Sequence, residues 1–245
     1  WVFETDIKNF FGTVPKKEIL KIIKNEIDDP KLFSLVKEII NFQVDQDNFD
    51  SIIDEYSSND GIAQGSSISP LLANIYLSSF DKEIQAEGDV ELIRYVDDLI
   101  VLCKTEERAK EIYKLVESKM EALKLEIHKL NDASSGKIKT RIINSKVNNF
   151  VFLGLNFNFR DIDISKAKKD SCIEDIIDIL YGEKGTLLFK SQKICKKLEG
   201  LIKQYAPTKH KHYKTRESLT SLCIQADKML EEYYLKNLKR IFGFN

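Results

Sequence analysis

A chain of 245 residues that is 42% hydrophobic and 31% charged, with only 10 Gly and 4 Pro, has apolar mass for one large domain or two small ones and is no low-complexity tract. The net charge of −1 hides an asymmetry: residues 1–100 carry 9 Lys/Arg against 20 Asp/Glu, and residues 101–245 carry 29 against 19. No run approaches the ~18 apolar residues of a membrane span, no signal peptide is present, and Cys103, Cys172, Cys195 and Cys223 form no C-x-x-C pair, so structural zinc is not expected and a reducing, cytoplasmic setting is.

Residues 1–7, WVFETDI, alternate as a strand that ends near Asp6. The chain begins with Trp, already inside a strand pattern, so a piece of a longer protein is expected. Pro15 opens a helix with Ile19, Ile22, Ile23 and Ile27 on one stripe, and a second helix runs from Lys31 to Phe42. Residues 43–60 are polar and acidic, a loop with a short strand. Ser69-Pro70 reads as an N-cap and first-turn pair that starts a helix through Leu72, Ile75, Tyr76 and Phe80. A hairpin over ELIRYVDDLIVLC, residues 91–103, precedes a charged helix from Glu106 to Lys124 whose inward stripe is Ala109, Ile112, Val116, Met120 and Leu123.

Strands are then expected over 125–130, 137–144 and 149–160, with a polar loop at 131–136. From 165 the pattern is helical and basic, broken at Tyr181–Gly185. Segment 184–216 has 10 basic residues and one acidic, Glu199, interleaved with Tyr205, His210, His212 and Tyr213; a helix from Glu217 to Phe242 follows. This order predicts an α+β fold, a sheet covered by helices on one face and followed by a helical region.

Asp97 and Asp98 interrupt an apolar run, where an unpaired carboxylate costs several kcal/mol to desolvate. They are either a two-residue turn or a carboxylate pair compensated by a divalent cation, which needs a further oxygen ligand. Asp6 is the candidate for that ligand and equally a candidate helix cap. Residues 61–74, GIAQGSSISPLLAN, form a loop whose amides and hydroxyls suit a phosphate or a base pair. The basic segment is either a solvated helical surface or a polyanion-binding region; beside an acidic half that can gather metal, it suggests nucleic acid.

Taken in order, D-I-K-N-F-F, Q-G-S-S-I-S-P-L-L-A-N and Y-V-D-D resemble the successive palm motifs of reverse transcriptases, most of all the bacterial branch of group II intron, retron and antiphage-defence enzymes. Residues 106–130 resemble the family's next helix and strand, and F-V-F-L-G-L-N-F, 150–157, its primer-gripping turn. The resemblance implies a polymerase palm with a ferredoxin-like sheet over 1–160 and a basic, helical, thumb-like region over 161–245. It implies RNA-directed DNA synthesis with two Mg²⁺ ions, Mn²⁺ being the alternative, on an RNA template, a DNA or RNA primer and dNTPs.

By resemblance Asp6, Asp97 and Asp98 are catalytic carboxylates and metal ligands, joined by the Ile7 carbonyl. Phe11 is the steric gate against a 2′-hydroxyl, and Gln64, Gly65 and Ser66 line the nucleotide and templating base. Tyr95, Phe152, Leu153 and Gly154 hold the primer. Lys129 and Lys137 are both candidates for the general acid. Ser67 stands where many relatives have Pro, and the fingers that precede the first aspartate in the family are missing from the sequence. Template-independent or protein-primed synthesis on the same site is one alternative; a maturase-like RNA-binding protein without catalysis is another. A cognate noncoding RNA and an oligomer are compatible with each reading; no membrane partner is expected.

Overall fold

The computed structural model describes residues 1–41, 60–134, 136–182, 184–205 and 214–242. The expected loop and strand in 43–60 and the residues His210, His212 and Tyr213 lie outside the described residues, Asp60 apart. The chain divides into two units, Trp1–Asn144 and Ser145–Asn245.

In the first unit β1 (Val2–Asp6), β2 (Glu91–Tyr95), β3 (Asp98–Leu102) and β4 (Arg141–Ile143) form one sheet in the order β2-β3-β1-β4. Every neighbouring pair is antiparallel. Between β1 and β2 come α1 (Phe10–Thr13), α2 (Lys16–Glu26), α3 (Pro30–Asn41) and α4 (Ser69–Gln85); α5 (Glu106–Ala122) joins β3 to β4. With α4 and α5 as the crossovers, this is the βαββαβ order of a ferredoxin-like sheet, so the unit is α+β as expected.

Strand alternation sorts the side chains. Phe3 and Thr5 of β1 pair with Val101 and Leu99 of β3, and Phe3, Leu99 and Val101 join Leu72, Tyr76, Phe80, Ile112, Val116 and Met120 in one buried cluster under the helices. The opposite face carries Val2, Glu4 and Asp6 against Leu102, Ile100 and Asp98. On β2 the same face carries Glu91, Ile93 and Tyr95. One row across the open face therefore reads Tyr95, Asp98, Asp6.

Several expectations shift. The stretch 125–130 makes only an isolated bridge, Ile7 to Ile127, with Lys8 N–H donating to Glu126 O at 2.7 Å. Beyond Asp6 the chain leaves the sheet through Asn9, whose φ is 42°, into α1, so no longer edge exists for 125–130 to pair with. Ser69 is not the N-cap. Ile68 is, and the buried Ser69 hydroxyl turns back to donate to Ala63 O at 2.5 Å. The cap of α5 is Thr105, which accepts from Arg108 N–H at 3.2 Å. The stripe Ala109, Ile112, Val116 and Met120 is fully buried, and Leu123 is half-buried.

In the second unit β5 (Phe150–Phe152), β6 (Leu155–Phe157) and β7 (Ile162–Ile164) form an antiparallel meander. It precedes α6 (Lys166–Ile177), a π-helical turn (Asp178–Gly182), α7 (Leu187–Tyr205) and α8 (Thr215–Phe242). Ile164, Ile176, Leu180, Ile194, Leu201, Leu222 and Ala226 share a core of their own. The break at Tyr181–Gly185 is thus a joint between helices inside this unit. The meander also belongs here, so the division at 144/145 falls before the expected change at 160.

Candidate active site

The two-residue turn of the β2–β3 hairpin is Val96-Asp97, not Asp97-Asp98: Tyr95 pairs directly with Asp98, which is the first residue of β3. Val96 sits at φ 59°, a left-handed conformation that a β-branched side chain adopts only under compulsion. The compulsion comes from Arg94. Its guanidinium donates to Val96 O at 2.9 Å and to Asn74 Oδ1 at 3.1 Å, and grips Asp81 of α4 through two bonds of 2.8 and 2.5 Å. Ile7 N–H donates to Asp97 O at 3.2 Å, fixing the turn to the end of β1. A helix, two strands and the N-terminal strand thereby hold one turn.

Asp6 is a strand residue, not a helix cap; α1 is capped at Asn9. It lies directly across from Asp98, a cross-strand pairing of like charges that is destabilising when uncompensated. Burial pushes the Asp97 carboxyl above the usual carboxylate range, and Asp6 adds to the rise, against its own backbone amide and Lys139. Asp98 is pushed up by removal of its carboxyl from water first, then by Asp97, Asp6 and Glu4. Glu4 is neutralised by Arg141, two bonds of 3.0 Å.

Asp6 is contacted by a lysine and a histidine. Lys139 Nζ donates to Asp6 Oδ2 at 2.7 Å, and His128 Nε2 stands 3.4 Å from Oδ1. Oδ1 is nonetheless buried without a hydrogen bond. That orphaned oxygen, three hard carboxylates and an ammonium already resting on one of them fit a divalent cation of the Mg²⁺ kind. Among the described residues no three His, Cys, Asp or Glu side chains are gathered into a ligand cage.

The lysine at the carboxylates is Lys139; the two candidates Lys129 and Lys137 are exposed in the loop that leads to it. Strand alternation could have found Lys139, which lies two residues before Arg141 as Asp6 lies two after Glu4. His128 and Arg94 carried no comparable signal.

Phe11 lies in α1, half-buried, its ring edge-on to buried Phe10 at 5.4 Å. Its carbonyl accepts from Ile62 N–H at 2.7 Å, and Gly61 N–H donates to Val14 O at 2.8 Å, so the loop carrying Gln64, Gly65 and Ser66 is anchored on α1. Gln64 and Gly65 are exposed and Ser66 half-buried. Gly61 is required there: its φ is 97°, and a Cβ would meet Gly12 O at 2.9 Å and Phe11 O at 3.0 Å. Gly61→Ala is expected to cost about 2–4 kcal/mol in urea unfolding; a loss below about 1 kcal/mol would mean the anchor is soft.

Tyr95 is exposed on the open face beside Asp98. Phe152, Leu153 and Gly154 lie in the second unit, where Leu153 (φ 50°) and Gly154 (φ 79°) make the β5–β6 turn. Tyr205 Oη donates to Leu153 O at 3.2 Å and Ser165 N–H to Gly154 O at 2.9 Å, so the last residue of α7 and the N-cap of α6 fix this turn. No described helix is long and apolar enough to cross a membrane.

Residues 1–157 match the family described as "Reverse transcriptase (RNA-dependent DNA polymerase)". The curated relatives include Protein YkfC of Escherichia coli K12, 34% identical over 34% of this chain and 20% of that protein. An uncharacterized 91 kDa protein in the cob intron of Schizosaccharomyces pombe is 31% identical over 35% of this chain and 10% of its own length. A COX1/OXI3 intron 2 protein of Saccharomyces cerevisiae is 27% identical over 37% and 10%. The chain thus spans a fifth or less of these relatives. Apo telomerase of Candida tropicalis superposes with a TM-score of 0.47 at 15% identity, over 96% of this chain and 46% of that one.

Proposed function

From the premise that the chain belongs to the reverse transcriptase (RNA-dependent DNA polymerase) family, we propose that residues 1–160 form the palm of an RNA-directed DNA polymerase and that 161–245 form its thumb-like partner on the template–primer duplex. The observation that carries this reading is the alignment of Asp98 directly opposite Asp6, with Asp97 locked in the adjoining turn. Members of the family use divalent metal ions. Two Mg²⁺ ions, or Mn²⁺ in their place, supply when bound the positive charge that activates a primer hydroxyl and stabilises departing pyrophosphate.

The chain's own residues do the rest. Asp6, Asp97 and Asp98, with the Ile7 carbonyl, hold the ions. Tyr95, next in the row to Asp98, supports the primer terminus, with Phe152, Leu153 and Gly154 as the second grip. Gln64, Gly65 and Ser66 lie along the incoming dNTP and its templating base, and the Phe11 ring excludes a 2′-hydroxyl. Lys139, on Asp6, joins Lys129 and Lys137 as a candidate proton donor. Two yeast relatives named for introns support a retroelement setting, and the Escherichia coli relative supports a bacterial one.

The test is primer extension on an RNA template with Mg²⁺ and dNTPs, run beside template-free and EDTA arms. Templated, EDTA-sensitive extension supports the proposal. Extension in the template-free arm alone favours template-independent synthesis, and RNA binding with no extension favours a maturase-like role. In the same assay Phe11→Ala is expected to raise rNTP use relative to dNTP by about tenfold or more; an unchanged ratio removes Phe11 from the gate.

A further inference from the structure

The four negative charges at the end of the sheet, Asp6, Asp97, Asp98 and Glu4, do not stand without cations. Arg141 is committed to Glu4. Among the described residues Lys139 is the ammonium that faces the other three: it bonds Asp6 at 2.7 Å and holds down the carboxyls of Asp97 and Asp98 against burial and mutual repulsion. It is well anchored and well able to move. The next residue, Thr140, is fully buried, with its hydroxyl 2.6 Å from that of Thr5 and its carbonyl accepting from Asn131 N–H at 2.8 Å. The Lys139 side chain beyond that anchor is 41% exposed.

We propose that Lys139 is a built-in counterion that competes with the divalent cation for Asp6, so that metal binding is an exchange in which the ammonium leaves Oδ2 as the ion arrives. This rests on the metal-binding reading of Asp6, Asp97 and Asp98. A divalent cation arriving at Asp6 meets an ammonium hydrogen-bonded at 2.7 Å to Oδ2, and like charges drawn to one carboxylate repel, so each weakens the other's hold. The metal-free fold is then spared part of its carboxylate repulsion, while affinity for the ion is lower than the carboxylates alone would confer. Two positions fix the exchange: Asp6 Oδ2 occupied by Lys139, and Oδ1 buried and unbonded.

The test measures Mn²⁺ binding to the full chain by electron paramagnetic resonance at fixed pH, without nucleotide or nucleic acid. Lys139→Met keeps the stem and removes the charge; it is expected to bind Mn²⁺ about two- to fivefold more tightly than wild type, the worth of a partly exposed ion pair. Lys139→Arg, whose planar fork grips a carboxylate through two bonds, is expected to bind it more weakly. Without metal, Lys139→Met should melt at a lower temperature than wild type and gain more from added Mn²⁺. Mn²⁺ binding that is equal or weaker in Lys139→Met, with the circular dichroism of the folded chain intact, overturns the counterion role and leaves the metal site standing. If neither wild type nor variants bind Mn²⁺, both the exchange and the metal reading fail. Should Lys139→Met not fold, the Lys139→Arg arm decides alone: unchanged or tighter binding overturns the proposal.

Discussion

Asp97→Asn is expected to abolish primer extension, by about 10³-fold or more, while raising the metal-free melting temperature. The two effects have one cause. The carboxyls of Asp97 and Asp98 are both pushed up, first by removal from water and then by their acidic neighbours, so the folded chain holds them against a penalty that the unfolded chain does not feel. Their folded-state values lie above the unfolded ones, so the native state binds more protons in the window between. Metal-free stability is therefore highest on the acid side of that window and falls as pH rises through it.

The groups facing this pair are Asp6 and Glu4 on the negative side and Lys139 on the other. Asn keeps the shape and suits a turn at least as well as Asp. The gain is modest, about 1–3 °C, because Asp97 is only half-buried and water screens much of the repulsion. Adding Mg²⁺ should reverse the order, raising the wild-type melting temperature and leaving the variant unmoved. Retained extension, or a lower metal-free melting temperature, would show that these carboxylates are not held for a cation.

The second large effect is structural and acts at one remove. Arg94→Ala is expected to destabilise the first unit by about 2–4 kcal/mol, or about 5–15 °C in melting temperature. Its side chain is 6% exposed, and its loss strands the Asp81 carboxylate, itself 27% exposed. It also removes the donor that holds Val96 O. Lys cannot substitute, because a point charge cannot reach Asp81 through two bonds and bond Val96 as well. Extension should fall in Arg94→Lys even at temperatures where the variant is folded, since the turn that sets Asp97 is no longer over-determined. A folded Arg94→Lys with wild-type activity would show that the turn needs no clamp.

The layers were legible to different degrees, for physical reasons. Asp97 and Asp98 stood out because charge inside an apolar run has few explanations, while Asp6, after Glu4 and Thr5, read equally as a helix cap; the inward stripe of α5 followed from helical period alone. The order of elements gave the α+β class, since connections are short and sheets need covering. The placement of the turn was hidden: local preference puts Asp-Asp in it, whereas Arg94 and the pairing of Tyr95 with Asp98 impose Val96-Asp97. L-E-I-H-K-L looked like a strand by alternation, but a strand needs an available partner edge, and β1 ends at Asp6. His128 reaches Asp6 across more than a hundred residues of chain, a contact that spacing along the sequence does not encode, whereas Lys139 follows from the alternation that sets Arg141 opposite Glu4.

The strand order has a consequence for how the protein comes into being. β1 is an interior strand whose neighbours are β3 and β4, so on the ribosome it waits for residue 102 before it has one partner and for residue 143 before it has two. Throughout that interval a five-residue strand with an apolar face has both edges open, the state most prone to pair with the wrong chain. Closing the sheet demands the longest loops in the unit, which makes folding slow relative to helix formation. Asp6 and Asp98 meet when β3 joins β1, before β4 does. Their repulsion therefore burdens the first pairing of β1, and until then the Asp6 carboxylate serves as a charged guard on an otherwise sticky strand.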